Sequence, residues 1–363
     1  MIGVLCTSYP RSPDDHAGSF VRTRVRALAA AGQALEVIAA GAGNETSQGT
    51  VRVFRVPTAG TAGLFYAGGA PEALESDAPG QRARAWLEAV HFTAGMTALA
   101  ARRAAGWSAV ESHWLVPSAL VACAVAPHLR HRAHAHGGDV FLLARLPGGA
   151  SLARFLCRSG TELVFASADL RDRFACLCGD TPEALGARTC VQPAPHDSLL
   201  FRPRPVAEHH SLRSHLGLEG FTVLAAGRLV PIKGYDVLVH AVGHLPPRER
   251  PTLVIAGTGP EEPRLRRLAV ACAVDLRLPG LVSSATLAEW MAAADLFVHP
   301  CRSLSNGRSE GAPVVVREAL AAGLSVVASA VGGLPELAGH ERLTLVVPEN
   351  PSALAAEIAL AKA

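Results

Sequence analysis

Short apolar runs alternate with helix-length amphipathic segments along the whole chain. This alternation is typical of parallel β-sheets whose strands are joined by crossover helices. The strands predicted in the first half are Ile2–Cys6, Leu35–Ala39, Val51–Val56, Ala109–Ser112, Arg132–His136, Leu163–Ala166 and Arg188–Gln192. The main helices predicted there are Gly18–Ala31, Arg82–Ala105 and Pro117–Ala126, the last with proline at its first position.

A second series of apolar runs predicts the strands Thr222–Ala226, Thr252–Ala256, Asp275–Leu278, Leu296–His299, Ser325–Ala328 and Leu343–Val346. Between the two series, Pro193–Pro205 carries four prolines and loses the periodicity, so we predict a linker there. The pattern therefore predicts an α/β fold with two Rossmann-like doubly wound domains, residues 1–195 and 196–363, facing a central cleft. Because ligands bind beyond the carboxyl ends of parallel strands, the loops that follow strands are the candidate functional segments.

Composition narrows the classes of function. The 363 residues include 34 basic and 31 acidic side chains, a formal net charge of +3, and no run of Lys and Arg. This argues against a nucleic-acid partner and implies that anionic ligands are held at local sites. The N-terminus lacks a basic leader and no run of 18 apolar residues occurs, so we predict neither signal peptide nor membrane span. The eight cysteines are scattered without a CxxC pair, which indicates reduced thiols and a cytoplasmic location, with peripheral membrane contact left open.

The most informative segment lies around a predicted helix from Pro313 to Gly323. This helix is apolar almost all round, so it should be buried, and a carboxylate inside it at Glu318 is costly unless paired or hydrogen-bonded. Glu310 lies in the loop just before the helix. The free N–H groups that favour an anion at this helix start are those of Gly311, Ala312 and Val314. A diphosphate with sugar hydroxyls would suit the arrangement, and a capping glutamate with a salt-bridged glutamate is the structural alternative.

Two further loops follow predicted strands in the second half. In Gly227–Gly234, Arg228 and Lys233 can flank one diphosphate, although two solvated surface cations would give the same pattern. In Gly257–Pro260 the glycines allow close approach of a ligand or a neighbouring loop, and a tight turn is the simpler interpretation. Glu262 occupies the place of the third glycine of the dinucleotide-binding fingerprint, so that motif is absent.

In the first half, the loops that follow strands are Ser8–Phe20, Ser112–Trp114 and His136–Asp139. The nearby run of His131, His134 and His136 lacks a cysteine or carboxylate in sequence to complete a four-ligand metal set. We therefore predict no metal site. The glycine-flanked position of His136 at a strand end supports a functional role for this histidine.

The motifs of the second half occur in a recognisable order. They are Gly227–Gly234 (GRLVPIKG), Gly257–Pro260 (GTGP), Ala294–Pro300 (ADLFVHP), Glu310 to Glu318 (E-x7-E) and Ala328–Leu337 (ASAVGGLPEL). In order and spacing the chain resembles the retaining GT-B glycosyltransferases of family 4, the glycosyl transferases group 1. In the first half, Tyr9–Gly18, His113-Trp114 and His136–Asp139 resemble the family's glycine loop, H-W and H-G-x-D segments less closely.

The resemblance implies a hexosyltransferase whose co-substrate is a nucleotide-diphosphate sugar, with UDP as the first choice of nucleotide. It implies no cofactor and no metal. Glu310 would contact the sugar hydroxyls, Glu318 the ribose hydroxyls, and Arg228 and Lys233 would hold the leaving diphosphate. His136 would lie near the reacting centre, as a fourth catalytic residue. Other donor contacts implied are Gly257, Gly259, Leu281, Val282, Gly311, Ala312, Pro313 and Val314. Acceptor contacts implied are Tyr9, Gly18, Ser19, His113 and Trp114.

The resemblance also leaves alternatives. Ala312-Pro313 stands where many members have Gly or Phe, and members usually continue beyond the position of Ala363 with helices that return to the N-terminal domain. A donor-binding protein without catalysis is therefore one alternative, and a nucleotide-sugar epimerase of the same architecture is another, although its acid/base pairs cannot be placed. A nicotinamide dehydrogenase ranks third because it would need the missing glycine fingerprint.

The acceptor is not readable from the sequence, and a small molecule, a lipid-linked sugar or a glycan all stay open. Its loops would be Tyr9–Phe20, Phe65–Glu72 and His113-Trp114. The apolar, glycine-rich stretch Gly63–Leu74 is a candidate lid or lipid-facing loop, or an ordinary connection.

Overall fold

The chain divides into two compact units, Met1–Pro195 and His196–Ala363. The structure, a computed structural model, describes residues 1–12, 14–41, 46–58, 64, 73–74, 76 and 78–362. The predicted acceptor loop Phe65–Glu72 and most of Gly63–Leu74 lie outside these residues. Each unit contains a largely parallel sheet with its own buried core, which confirms the predicted α/β class.

The first unit is built on eight strands in the order β3-β4-β2-β1-β5-β6-β7-β8. They are β1 (Ile2–Cys6), β2 (Leu35–Ala40), β3 (Thr46–Gln48), β4 (Val51–Val56), β5 (Ala109–His113), β6 (Arg130–Ala135), β7 (Glu162–Phe165) and β8 (Thr189–Val191). Every strand pairing is parallel except that of β3 with β4, which is antiparallel. The sequence pattern did not predict β3 because this three-residue strand is polar and has no apolar alternation.

The helices of the first unit lie between the strands along the chain. They are α1 (Ser19–Ala30), α2 (Pro79–Arg103), α3 (Leu120–Val125), α4 (Gly138–Arg145), α5 (Gly149–Arg158) and α6 (Ala168–Cys178). The predicted helix Pro117–Ala126 follows a kink at Val116, and its regular α-helical part is α3. Val116 is extended, with φ −120° and ψ 126°, because the ring of the following proline disfavours helical backbone.

The second unit contains six parallel strands in the order β11-β10-β9-β12-β13-β14. They are β9 (Thr222–Ala226), β10 (Thr252–Ala256), β11 (Leu276–Arg277), β12 (Leu296–His299), β13 (Ser325–Ser329) and β14 (Leu343–Val346). The helices are α7 (Val206–His215), α8 (Tyr235–His244), α9 (Glu262–Ala271), α10 (Ser284–Ala293), α11 (Val314–Ala321) and α12 (Pro351–Lys362).

Side chains from helices pack against both faces of this second sheet, so its central strands are buried throughout. All residues of β9 and β12 are buried, which is why these strands read as continuous apolar runs. Across the described residues, the helices are too short or too polar to pass through a bilayer.

Candidate active site

The order of strands in the second sheet reverses between β9 and β12, which lie side by side. The loops that leave such a pair diverge and open a crevice at the carboxyl ends of the strands. Lys233 follows β9 and Glu310 follows β12, and here their side chains meet. Lys233 Nζ lies 2.7 Å from Glu310 Oε1, and each side chain is only 14% exposed. The structure thus brings two of the predicted catalytic residues into one ion pair.

The electrostatics of this pair keep Glu310 ionised. Burial is the largest single influence and acts to raise the pKa of Glu310, but the charge and hydrogen bond of Lys233, together with His299 and Arg228, outweigh it. The net direction of the pKa is downward. A carboxylate held in the charged form is a strong acceptor for hydroxyl donors.

A buried histidine and a buried tyrosine lie beside the pair, and neither was predicted as a site residue from the sequence. His299 ends β12 with no exposed surface, and within the described chain neither of its ring nitrogens has a hydrogen-bond partner. Burial lowers the pKa of His299 to about 3, so the ring is neutral. Burial also raises the pKa of Tyr235, and the charge of Glu310 adds to this. The histidine in ADLFVHP, at the end of an apolar strand, was the available sequence signal.

Two glycine loops pack directly against each other and position the Arg228 segment. A Cβ at Gly257 would lie 1.9 Å from the carbonyl oxygen of Gly227, and one at Gly259 would lie 2.4 Å from that of Leu229. Gly227 N–H also donates to the carbonyl of Ala256 at 2.9 Å. The glycines therefore allow two neighbouring loops to approach each other closely, which is one of the interpretations that the sequence left open.

The loop that carries Glu310 is held by a second glycine pair. A Cβ at Gly332 would lie 1.7 Å from the carbonyl oxygen of Glu310, and Gly333 N–H donates to the carbonyl of Gly311 at 2.8 Å. The AVGG segment after β13 thus fixes the entrance to α11. Its role was not predicted, because only the fold brings the two loops together.

The predicted helix after Glu310 needs two corrections. It begins at Val314, with Pro313 as the residue before it, rather than at Pro313. Only Val316 and Ala319 in it are buried, because one side of α11 packs on the sheet and the rest is partly exposed. Its end agrees with the sequence, since Gly323 adopts φ 87°.

Glu318 lies on the partly buried side of α11. Burial raises the pKa of Glu318 to about 7, and the charge of Asp197 acts in the same direction. In the described part of the chain Glu318 forms no ion pair. No cation of the protein therefore offsets the cost of burying its charge.

Leu281 and Val282, two of the predicted donor contacts, follow the short strand β11. Gly280 accepts a hydrogen bond from Gly257 N–H at 2.8 Å, which connects this segment to the glycine loop after β10. Leu281 is 58% exposed. Val282 is partly buried and packs against the core.

In the first unit, the residues predicted in three separate loops come together in an aromatic cluster. The ring of His136 lies 4.7 Å from that of Phe20 and 5.2 Å from that of Trp114, measured between centroids. His113 Nδ1 lies 3.0 Å from His136 Nε2. Burial lowers the pKa of both histidines well below the usual value, so both rings are neutral.

Asp139 holds this cluster in place. Its carboxylate accepts hydrogen bonds from the N–H groups of Leu115 at 2.8 Å, Gly137 at 2.9 Å and His136 at 3.1 Å. Burial raises the pKa of Asp139 more than these bonds lower it. One side chain thus connects the loop after β5 with the loop after β6, a positioning role that the sequence analysis had not assigned.

The predicted residues of the first loop have different structural environments. Gly18 has φ 73°, and a Cβ there would lie 2.4 Å from the carbonyl oxygen of Ser8, so glycine is required. Ser19 is the first residue of α1. Tyr9 is 8% exposed and packs in the core, and its carbonyl accepts a bond from Arg55 Nη1 at 2.8 Å. Phe20 and Trp114 of the aromatic cluster pack against the same buried cluster that contains Tyr9.

A group with metal-ligand chemistry does exist beside that cluster. Ligand atoms of Glu111, His113 and His134 lie within 4.8 Å of one another. However, the rings of His113 and His134 stack 4.6 Å apart at an angle of 11°. The lone pairs lie in the ring planes, so two parallel rings do not aim at one ion. Arg24 also donates to both oxygens of Glu111, at 3.1 and 2.6 Å, so the arrangement does not favour a metal.

His131 has a structural environment of its own. Its Nε2 lies 2.8 Å from Ser112 Oγ, and its Nδ1 lies 3.1 Å from Thr161 Oγ1. Burial lowers the pKa of His131 to about 4, which keeps the ring neutral. Both nitrogens are satisfied, as expected of a structural histidine.

Comparison with known proteins agrees with the motifs. Residues 220–361 match the family model described as Glycosyl transferases group 1. The chain resembles the group 1 glycosyl transferases. It is 36% identical over 248 residues to the GDP-mannose-dependent alpha-(1-6)-phosphatidylinositol monomannoside mannosyltransferase of Mycobacterium tuberculosis, which covers 66% of this chain and 63% of that protein. It is also 38% identical over 169 residues to the D-inositol 3-phosphate glycosyltransferase of Jonesia denitrificans, 42% of this chain and 38% of that one. The chain thus spans less than two thirds of the length of either relative.

Solved structures confirm the predicted GT-B fold. Sucrose-phosphate synthase from Thermosynechococcus elongatus superimposes with a TM-score of 0.71 at 20% identity, covering 99% of this chain and 88% of that one. Anabaena HepE in complex with UDP gives a TM-score of 0.69 at 19% identity, covering 98% and 88%. At these identities the similarity concerns the fold alone.

Proposed function

We propose that the protein transfers a hexosyl group, with retention of configuration, from a nucleotide-diphosphate sugar to an acceptor hydroxyl. The observation that carries this proposal is the Lys233–Glu310 ion pair at the β9/β12 switch point, with Arg228 in the same loop as Lys233. Under this proposal the cations hold the diphosphate and the neighbouring carboxylate accepts bonds from the sugar hydroxyls, in the unit that matches the family model.

The chemistry of the reaction fits this distribution of charge. Cleavage of the bond between sugar and phosphate builds negative charge on the departing diphosphate. Lys233, Arg228 and the N-terminus of α11 stabilise that charge, because fixed cations and helix ends act most strongly on charge that develops in the transition state. Without a ligand, Lys233 is neutralised by Glu310. A bound donor would replace this ion pair, because its phosphate would contact Lys233 and its sugar hydroxyls would donate to Glu310.

Mannose carried by GDP is the donor that we propose to test first. The mannosyltransferase relative, at 36% identity, is named as GDP-mannose-dependent. UDP, the first choice on the sequence alone, remains the second candidate, since the complex with UDP belongs to a neighbour of 19% identity.

The acceptor side of the proposal rests on the aromatic cluster of the first unit. His136, His113 and Trp114 lie together, and the two histidines are neutral. We propose that they position the acceptor. No carboxylate nucleophile is needed if the departing phosphate takes the acceptor proton in a front-face attack.

The test combines donor binding with turnover in matched variants. Thermal shifts with GDP-mannose, UDP-glucose and ADP-glucose identify the donor, because a ligand that binds the native state raises its stability. Lys233→Ala should then lower the transfer rate by about 10²–10³-fold, as loss of one charge-stabilising group does. The control is Lys362→Ala, since Lys362 is a lysine of the same unit that donates only to the Glu249 carbonyl in the described structure. Unchanged turnover in Lys233→Ala would refute the site, and donor consumption without acceptor would indicate an epimerase.

A further inference from the structure

A cavity of about 610 Å³ opens along α2 in the first unit. Trp86, Val90, Thr93 and Thr97 of α2 line one side of it, and Val116 and Leu142 are among the residues that line the other. Its volume falls within the range of about 300–1,000 Å³ that small-molecule sites occupy. None of the residues assigned to the candidate active site lines it, so it is a separate feature.

The wall of the cavity offers almost nothing to a polar ligand. The two hydroxyls among its described lining residues are already used inside the helix, since Thr93 Oγ1 donates to the Ala89 carbonyl and Thr97 Oγ1 to the Thr93 carbonyl, both at 2.7 Å. The other described lining residues are apolar. A polar ligand would lose its hydrogen bonds to water here without replacement, whereas an alkyl chain would lose none.

The rim of the cavity is amphipathic. Trp86, Leu87 and Val90 are 40%, 73% and 64% exposed, an unusual concentration of exposed large apolar side chains on one stretch of helix. Arg82, which is exposed, lies one helical turn before Trp86 on the same side of α2. An apolar opening beside a cation is complementary to a molecule with a hydrocarbon chain and an anionic head.

We infer that this cavity binds one acyl chain of an anionic lipid, with the headgroup at Arg82. The elements of the cavity also connect it to the candidate acceptor loops, because Val116 lies two residues after Trp114 and Leu142 lies on α4, directly after the His136 loop. That the bound lipid is the acceptor rests on the proposed function. The cavity itself is tested without turnover.

The first experiment measures binding of a series of n-alkyl phosphates below their micelle concentrations, by displacement of a fluorescent fatty acid. Each additional buried methylene should strengthen binding about fourfold until the cavity is full, after which affinity levels off. The matched n-alkyl alcohols should bind more weakly, and Arg82→Gln should remove that difference. Affinity that is independent of chain length would overturn the inference.

The second experiment blocks the cavity. Ala94 lines it and is exposed, so Ala94→Trp fills the space without disturbing the core. Ala101→Trp is the matched control, because Ala101 is exposed on the same helix, seven residues later, and is not among the lining residues. We expect Ala94→Trp to weaken binding of dodecyl phosphate more than tenfold and Ala101→Trp to leave it unchanged.

Thermal unfolding and donor binding should be the same in both variants, which separates the cavity from the donor site. Equal binding by Ala94→Trp and wild type would overturn the inference. A dimer of the protein that Ala94→Trp dissociates, in the absence of alkyl phosphate binding, would also overturn it, because the face would then be covered by a second copy. Binding of alkyl phosphates in a protein that fails to bind any nucleotide sugar would leave the cavity supported and refute the proposed function alone.

Discussion

Replacing Glu318 by glutamine removes one ionisable group from α11 and preserves the size of the side chain. Burial raises the pKa of Glu318 from 4.5 to about 7 in the folded protein. The folded state therefore binds a proton more tightly than the unfolded chain does. The stability that this provides is fully present below pH 4.5, is lost as the pH rises to 7, and is absent above.

The size of the effect follows from the shift. A difference of 2.5 pKa units at 1.36 kcal/mol per unit corresponds to about 3 kcal/mol, and this is an upper bound because Glu318 is partly exposed. Glu318→Gln does not titrate, so above pH 7 it should be more stable than wild type by up to that amount. The melting temperature should rise by several degrees at pH 8, and the two proteins should converge near pH 4.5.

Binding should change in the opposite direction. If Glu318 accepts bonds from the ribose hydroxyls, the ligand favours its charged form, and donor affinity in wild type should rise with pH up to about 7 and then level off. Glu318→Gln should lose this pH dependence and bind more weakly at pH 8, although it is more stable. Calorimetry in two buffers of different ionisation enthalpy should show proton release on binding to wild type near pH 6.5 and none for the variant.

Glu219→Gln is the matched control, since Glu219 is an exposed glutamate of the same unit. It should change neither the melting curve nor the affinity. A Glu318→Gln protein that is less stable than wild type at pH 8, with unchanged affinity for the nucleotide sugar, would show that the glutamate is structural and would refute the reasoning.

Two further predictions concern the loops around the ion pair. Lys233→Met leaves Glu310 partly buried without its cation and should lower the free energy of unfolding by about 3–5 kcal/mol, whereas Lys233→Met/Glu310→Gln should recover most of this in urea titrations. A single variant as stable as the double variant would contradict the pairing. Gly257→Ala adds a Cβ 1.9 Å from a neighbouring carbonyl oxygen at φ 149°, so it should destabilise the second unit by at least about 1–3 kcal/mol. Gly220→Ala, where a Cβ meets nothing within 4 Å, should have little effect, and equal melting temperatures for the two would count against the packed loops.

The strands differed in how well they could be predicted from the sequence, for physical reasons. The strands Thr222–Ala226, Thr252–Ala256 and Leu296–His299 were predicted with the bounds that the structure shows, because burial on both faces makes such strands continuously apolar. The polar strand Thr46–Gln48 gave no such signal, since its pairing with β4 depends on a backbone ladder rather than on side-chain hydrophobicity.

The site shows the same division. Lys233 and Glu310 could be predicted from their positions after strands and at a helix entrance. The role of Asp139 could not, because its three partners come from two loops that meet only in the folded sheet. The same holds for Gly332, whose requirement for glycine is set by the carbonyl oxygen of Glu310 at the end of another loop.

The two glutamates of the E-x7-E motif differ in their pairing before a donor binds. Glu310 is already paired with Lys233 at 2.7 Å, so a ligand gains from this pair only the difference between its own contacts and the ion pair that it replaces. Glu318 has no ion-pair partner in the described chain and a pKa raised to about 7, so hydroxyl donors placed there relieve a cost that the folded protein already bears. The diphosphate end of a donor should therefore contribute more to selectivity and transition-state stabilisation, and the ribose end more to affinity. Nucleoside and nucleoside diphosphate titrations would separate these contributions, and a nucleoside that binds equally to wild type and Glu318→Gln would contradict this division.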